Sequence, residues 1–183
     1  QRYESVSRRL MTVLGDFSPR VEALSLDEAF VDMSGAEHLF GAPARMAERI
    51  RQAIRDATGL SASVGISGTK YVAKVASGIA KPGGVQVVAP EDAATWLAPM
   101  PVERLWGVGP VTRQRLLAAG FERIGSLAAT DPAQLGRKLG SLGDHLAALA
   151  RGEDPRAVSV RRSARSVGSD RTLNEDVSDR REI

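Results

Sequence analysis

Apolar residues at Tyr3, Val6, Leu10, Val13 and Leu14 recur at helical spacing and predict a helix over Tyr3–Leu14. Phe17 to Arg20, with Pro19, reads as a connector. Two strand-like stretches follow, Val21–Leu26 and Ala29–Met33. Met46, Ile50 and Ile54, at i, i+4 and i+8, predict a helix over Pro43–Thr58, and Gly59 supplies its stop. Leu60–Ile66 reads as a strand, Thr69–Ala80 as a helix with Val72, Val75 and Ile79 on its apolar stripe, Gly84–Val88 as a short strand, and Pro90–Leu97 as a short helix. Beyond Met100-Pro101 the pattern changes to short helices separated by glycine turns: Val111–Ala119, Ile124–Ala129, Pro132–Leu139 and Gly143–Ala150.

The first half is one strand short of the split βαβ, or ferredoxin-like, unit βαββαβ. The leading strand is the one lacking, since the chain opens on a helix with no strand to cross over from. The expected fold is therefore α+β: an incomplete ferredoxin-like palm at 1–100, a small all-helical unit at 101–152, and a basic linker with the start of a further module at 153–183. The chain is expected to be a fragment cut inside a domain. Its hairpin would lack a sheet neighbour and expose an aggregation-prone edge.

Asp27 and Glu28 fall where the hairpin of Val21–Met33 turns. Asp-Glu is not a favoured hairpin turn, and neighbours on a regular strand face opposite ways. The two carboxylates converge only if the backbone bends there. Bent, apolar-flanked carboxylates suit hard divalent cations; the bland alternative is a solvated acidic turn.

The chain has 183 residues, 43% hydrophobic and 26% charged, which describes a globular protein of one or two small domains. No apolar run reaches membrane-spanning length, so no membrane partner is expected. There are no cysteines, hence no disulfides and no thiolate metal site, which fits a cytoplasmic setting. Net charge is only +3, so any nucleic-acid site must come from local clustering.

Lysine is such a cluster. Only Lys70, Lys74, Lys81 and Lys138 occur, and three of them fall within one stretch of 12 residues on or beside one helix. A lysine beside carboxylate-held metals is the arrangement phosphoryl transfer needs. A solvated helix face is the competing reading. Gly107-Val108-Gly109, followed by Pro110 at a helix start, reads as a helix-hairpin-helix turn whose backbone grips phosphate without reading bases. Gly140 to Gly143 suggests a second glycine hairpin. His38 and His145 have no ligand-spaced partners and are expected to be structural. Trp96 and Trp106 are expected as packing anchors, and no P-loop is present.

In this order the motifs resemble those of the Y-family translesion DNA polymerases of the bacterial DNA polymerase IV type. The matching stretches are Ser25-Leu26-Asp27-Glu28-Ala29-Phe30, Val64-Gly65-Ile66-Ser67 through Lys74 to Ala80-Lys81-Pro82-Gly83-Gly84, Trp106-Gly107-Val108-Gly109, and Leu149-Ala150-Arg151-Gly152. Ser166-Val167-Gly168 resembles the entry to the family's little-finger domain. The resemblance implies two Mg²⁺ ions, with Mn²⁺ as a substitute, held by Asp27 and Glu28 as catalytic and metal-binding residues. It implies Lys81 on the incoming deoxynucleoside triphosphate. It further implies Lys70, Lys74, Gly107, Val108, Gly109 and Thr112 on primer-template DNA, with Arg162 and Arg165 of the basic segment as further DNA contacts. The family's leading palm strand, its fingers and most of its little finger lie outside this chain, as would any region that binds a sliding clamp. The fragment alone is expected to be inactive. Two other readings remain open here: a non-catalytic helix-hairpin-helix DNA-binding module, and a metal-dependent nuclease that would recruit Asp32.

Overall fold

A computed structural model describes residues 2–160. Helix α1 (Arg2–Gly15) leads into an antiparallel hairpin of β1 (Val21–Ala23) and β2 (Ala29–Val31). A one-turn helix α2 (Glu37–Phe40), which the sequence pattern does not announce, precedes α3 (Pro43–Thr58). The α3 bounds match expectation because both ends are chemically marked. Pro43 occupies the first turn, and Gly59 takes the left-handed conformation at φ 73°. Strand β3 (Val64–Ile66), helix α4 (Lys70–Ile79) and strand β4 (Val85–Val87) form a βαβ unit with parallel strands.

The strands are shorter than the hydrophobic runs that predict them. Leu24–Glu28 leaves the ladder as a bend, with the Leu24 and Ser25 amides both donating to the Glu28 carbonyl. Among the described residues there are two separate two-stranded sheets, β1-β2 and β3-β4, rather than one.

The second half is helical: α5 (Ala93–Leu97) after a 3₁₀ turn at Pro90–Asp92, then a 3₁₀ turn at Val102–Arg104, α6 (Pro110–Ala118), α7 (Ile124–Ala128), α8 (Pro132–Leu139) and α9 (Ser141–Ala150). The glycine hairpin is therefore entered from a 3₁₀ turn, not from an α-helix. Gly140, at φ 65°, turns the chain between α8 and α9. Gly143 is a packing glycine: a β-carbon there would lie 2.8 Å from the Leu135 carbonyl.

Two cores hold the molecule. Leu14, Ile50 and Ile54 join α1 and α3, with Val21, Val31 and Val64 packed against them. The larger core runs without interruption from Tyr71, Val72 and Val75 of α4 through Leu97, Val102 and Leu105 to Leu116, Leu135 and Leu149. The change of pattern near residue 100 is thus a change of secondary structure, not a break in packing. Gly65 lets β3 lie directly on α4, since a β-carbon would come within 2.1 Å of the Ala73 carbonyl oxygen and 2.3 Å of the Ser77 nitrogen. Tyr3 and Ile79 depart from their predicted apolar faces, at 84% and 44% exposed.

Candidate active site and nucleic-acid interface

The bend between β1 and β2 carries Asp27 and Glu28, both exposed. They engage different partners. Asp27 accepts a hydrogen bond from the Ser25 hydroxyl at 2.7 Å, and Glu28 accepts from the Lys74 ammonium at 2.9 Å. The donor set is oxygen only, which fits part of the shell of a hard divalent cation. It does not complete one: among the described residues no group of three Asp, Glu, His or Cys converges. Asp32 is tied elsewhere. Its carboxyl is held below the ordinary value chiefly by hydrogen bonds from the Ser34 side chain and backbone, with the Arg20 guanidinium 2.9 Å away.

Helix α4 begins at Thr69, whose hydroxyl caps the Val72 amide, and aims its lysines at the hairpin. Lys74 lies 5.8 Å above the Trp106 ring besides meeting Glu28. Lys81 stands exposed in the turn after the helix. Between α4 and the glycine hairpin runs a groove of about 340 Å³ lined by Glu28, Lys74, Lys81, Arg104, Trp106 and Gly107, among others. The fold thus brings a predicted carboxylate, two predicted lysines and the predicted glycine turn around one space. Asp27 is not among the groove's walls.

Lys70 is a correction. Its side chain is only 10% exposed, and its ammonium meets the Glu22 carboxylate at 2.5 Å, the Ala157 carbonyl at 3.3 Å and the face of Phe30 at 5.0 Å. Lysine spacing put it on a DNA-facing stripe, but β1 delivers a buried carboxylate to it from 48 residues away. It fastens the hairpin to α4 and is not available to a phosphate backbone.

The glycine turn is built for close approach. Gly107 has φ 87°, and a β-carbon at either Gly107 or Gly109 would meet nothing within 4 Å. Gly109 is extended, at φ −85°, so the fold itself does not require glycine there. Among the described residues the Gly107 and Gly109 amides donate to no acceptor, whereas the Val108 amide is taken by the Leu105 carbonyl at 3.1 Å. Val108 therefore drops out as an amide donor. Thr112 stands in the first turn of α6. Arg162 and Arg165 lie outside the described residues.

The sequence reading overlooked what fastens this turn. After α9 the chain crosses the start of α4. Thr69 donates to the Gly152 carbonyl, the Tyr71 amide to Asp154, and the Ser159 amide to Glu22 at 2.8 Å. Burial raises the Asp154 carboxyl, but the Arg156 side chain, backbone and charge, together with the Tyr71 amide, outweigh it and leave it below the ordinary value. Arg156, held by Asp154 at 2.7 and 2.9 Å, lies 4.2 Å from the Trp106 ring centre, and Trp106 stacks on Phe30 at 5.8 Å. The only signal in the sequence was the Asp-x-Arg spacing inside a stretch read as linker.

The architecture is that of a Y-family polymerase palm and thumb. DinB from Sulfolobus solfataricus superimposes with a TM-score of 0.75 at 26% identity, covering 85% of this chain and 46% of that one. An insertion ternary complex of Dbh DNA polymerase gives 0.76 at 26% identity, with the same 85% and 46% coverage. The impB/mucB/samB family is matched by residues 1–78, and the IMS family HHH motif by residues 90–121. DNA polymerase IV of Halorhodospira halophila is 43% identical over 182 residues, all of this chain and 51% of the relative. DNA polymerase IV 2 of Mesorhizobium japonicum is 44% identical over 174 residues, 94% of this chain and 42% of the relative. Over its whole length the chain is similar to Y-family DNA polymerases, and its first 78 residues match the impB/mucB/samB family. It spans about half the length of these curated relatives.

Proposed function

We propose that this chain is the palm and thumb part of a translesion DNA polymerase, which adds deoxynucleotides to a primer opposite damaged template bases in the cytoplasm. The palm would end near residue 100 and the thumb near 152. The observation that carries the reading is the shared groove: Glu28, Lys74, Lys81 and the Gly107 turn surround one space, and these are the groups phosphoryl transfer uses.

Asp27 and Glu28 would hold the divalent metal, Mg²⁺ with Mn²⁺ as a substitute, and the remaining ligands would come from substrate phosphates and from outside the described residues. Such ions supply charge neutralisation at the transferring phosphoryl group and a lowered pKa for the attacking hydroxyl. Lys74 restrains Glu28 until metal competes for it. Lys81 balances charge on the triphosphate of the incoming nucleotide. The free Gly107 and Gly109 amides and the start of α6 hold the primer backbone, independent of base sequence.

In the polymerase that contains this chain, Asp27→Ala should abolish nucleotide addition and leave primer-template affinity nearly unchanged. Primer extension by that variant at the parental rate would sink the reading. Mn²⁺ titration followed by electron paramagnetic resonance separates it from a non-catalytic DNA-binding module, which has no cause to bind Mn²⁺ at Asp27.

A further inference from the structure

The groove beside Glu28 carries positive charge that its own acids do not balance. Its two carboxylates are Glu28 and Glu103. Glu28 is paired with Lys74 at 2.9 Å, and Glu103 with Arg113 at 3.5 Å. Lys81 and Arg104 line the same groove, and among the described residues neither side chain has a hydrogen bond or ion pair.

These two cations arrive from different walls. Lys81 comes from the turn that ends α4. Arg104 comes from the 3₁₀ turn at Val102–Arg104, which leads into the glycine hairpin. Arg104 lies over α4 where that helix has no side chain: a β-carbon at Gly78 would stand 3.8 Å from its Nη1. Two unpaired cations in one concave space repel each other, and a bound anion relieves that repulsion. A guanidinium fork and an ammonium lining one groove suit a phosphate, whose several oxygens can accept from both at once.

We propose that Lys81 and Arg104 clamp a single phosphate group, with Arg104 as the thumb's contribution to a site whose other half is on the palm. The clamp rests on the polymerase reading for the source of that phosphate, which is either the nucleoside triphosphate or the DNA backbone. Because the cations sit on separate walls, the same phosphate would also bridge palm to thumb.

The test uses the 183-residue chain and its Arg104→Ala, Arg104→Lys, Lys81→Ala and double alanine variants. Circular dichroism establishes that each is folded. Affinity is measured for inorganic tripolyphosphate and, separately, for a primed DNA duplex at two salt concentrations. Arg104→Ala should weaken one probe about ten- to a hundredfold, and Arg104→Lys should restore part of it. Loss on tripolyphosphate assigns the phosphate to the nucleotide. Loss on duplex, with a salt slope reduced by about one, assigns it to the backbone. The double variant should be little worse than either single one, because both residues serve one group. Parental binding by Arg104→Ala to both probes, or strictly additive losses, would overturn the clamp while leaving the polymerase reading standing. A parental chain that binds neither probe would likewise overturn the clamp, whereas the polymerase reading falls only with the Asp27→Ala test in the polymerase that contains this chain.

Discussion

The Arg156 guanidinium lies 4.2 Å from the centre of the Trp106 ring, so a residue beyond α9 covers the residue that begins the glycine turn. Asp154 holds Arg156 in place and takes the Tyr71 amide as well, with its side chain only 1% exposed. The return segment therefore fixes the thumb turn against the hairpin that carries Asp27 and Glu28.

Replacing Asp154 with Ala removes hydrogen bonds from a charged group and from a helix-start amide. The expected cost is about 2–3 kcal/mol, read by denaturant unfolding. Trp106 emission, isolated in a Trp96→Phe background, should shift as Arg156 leaves its face. Unchanged emission and stability would show that the segment is merely draped over α4.

The Asp154 carboxyl titrates below its ordinary value of 3.8 in the folded state. A depressed carboxylate stabilises the fold above the unfolded pKa, and that contribution is lost as pH falls from there through the folded pKa. Asp32 adds in the same direction. Stability should accordingly drop below about pH 4, and Asp154→Asn should flatten that part of the profile. A variant with the parental acid profile would remove Asp154 from the account.

Lys70 and Glu22 form a nearly buried pair, so removing one partner should cost about 3 kcal/mol or more by stranding the other charge. Lys70→Met should then be destabilised, yet bind duplex DNA like the parent at temperatures where both are folded. Replacing both partners with apolar residues should recover part of the loss, although the Ser159 amide loses its acceptor. A specific fall in DNA affinity with full stability would return Lys70 to the DNA.

Gly65→Ala should destabilise the chain by about 3 kcal/mol or more, because backbone atoms of α4 occupy the place of the new methyl and cannot swing aside. Hydrogen exchange should report loosening of β3 against α4. A stability within 0.5 kcal/mol of the parent, roughly the scatter of neutral surface changes, would contradict the packing.

Gly109→Val is the opposite case. Its backbone conformation is open to any residue and its surroundings are empty. Stability should change little, while affinity should fall alike for all duplex sequences. Loss confined to one sequence would argue for base reading instead of backbone approach.

Much of this was written along the chain. Helix α3 was legible to its ends, because Pro43, the Met46-Ile50-Ile54 stripe and Gly59 are local signals that no distant contact overrides. The bend at Asp27-Glu28 and the glycine turn were legible for the same reason: two acids cannot share a regular strand face, and Gly107 needs a positive φ. Sequence also carried the family motifs, since their order and spacing are properties of the chain itself.

What the sequence could not decide is which charges meet. Lys70 and Lys74 are one turn apart on α4, yet Glu22 buries the first and Glu28 takes the second on the exposed side. Arg104 carries no signal in the sequence, and it is the 3₁₀ turn that lays its guanidinium over Gly78. Asp154 and Arg156 looked like linker until the chain folded back onto Tyr71 and Trp106. Helical and strand periods are set by backbone geometry within a few residues. Ion pairs and grooves form between segments far apart in sequence, and only the packing of α4 against both halves brings those segments within reach.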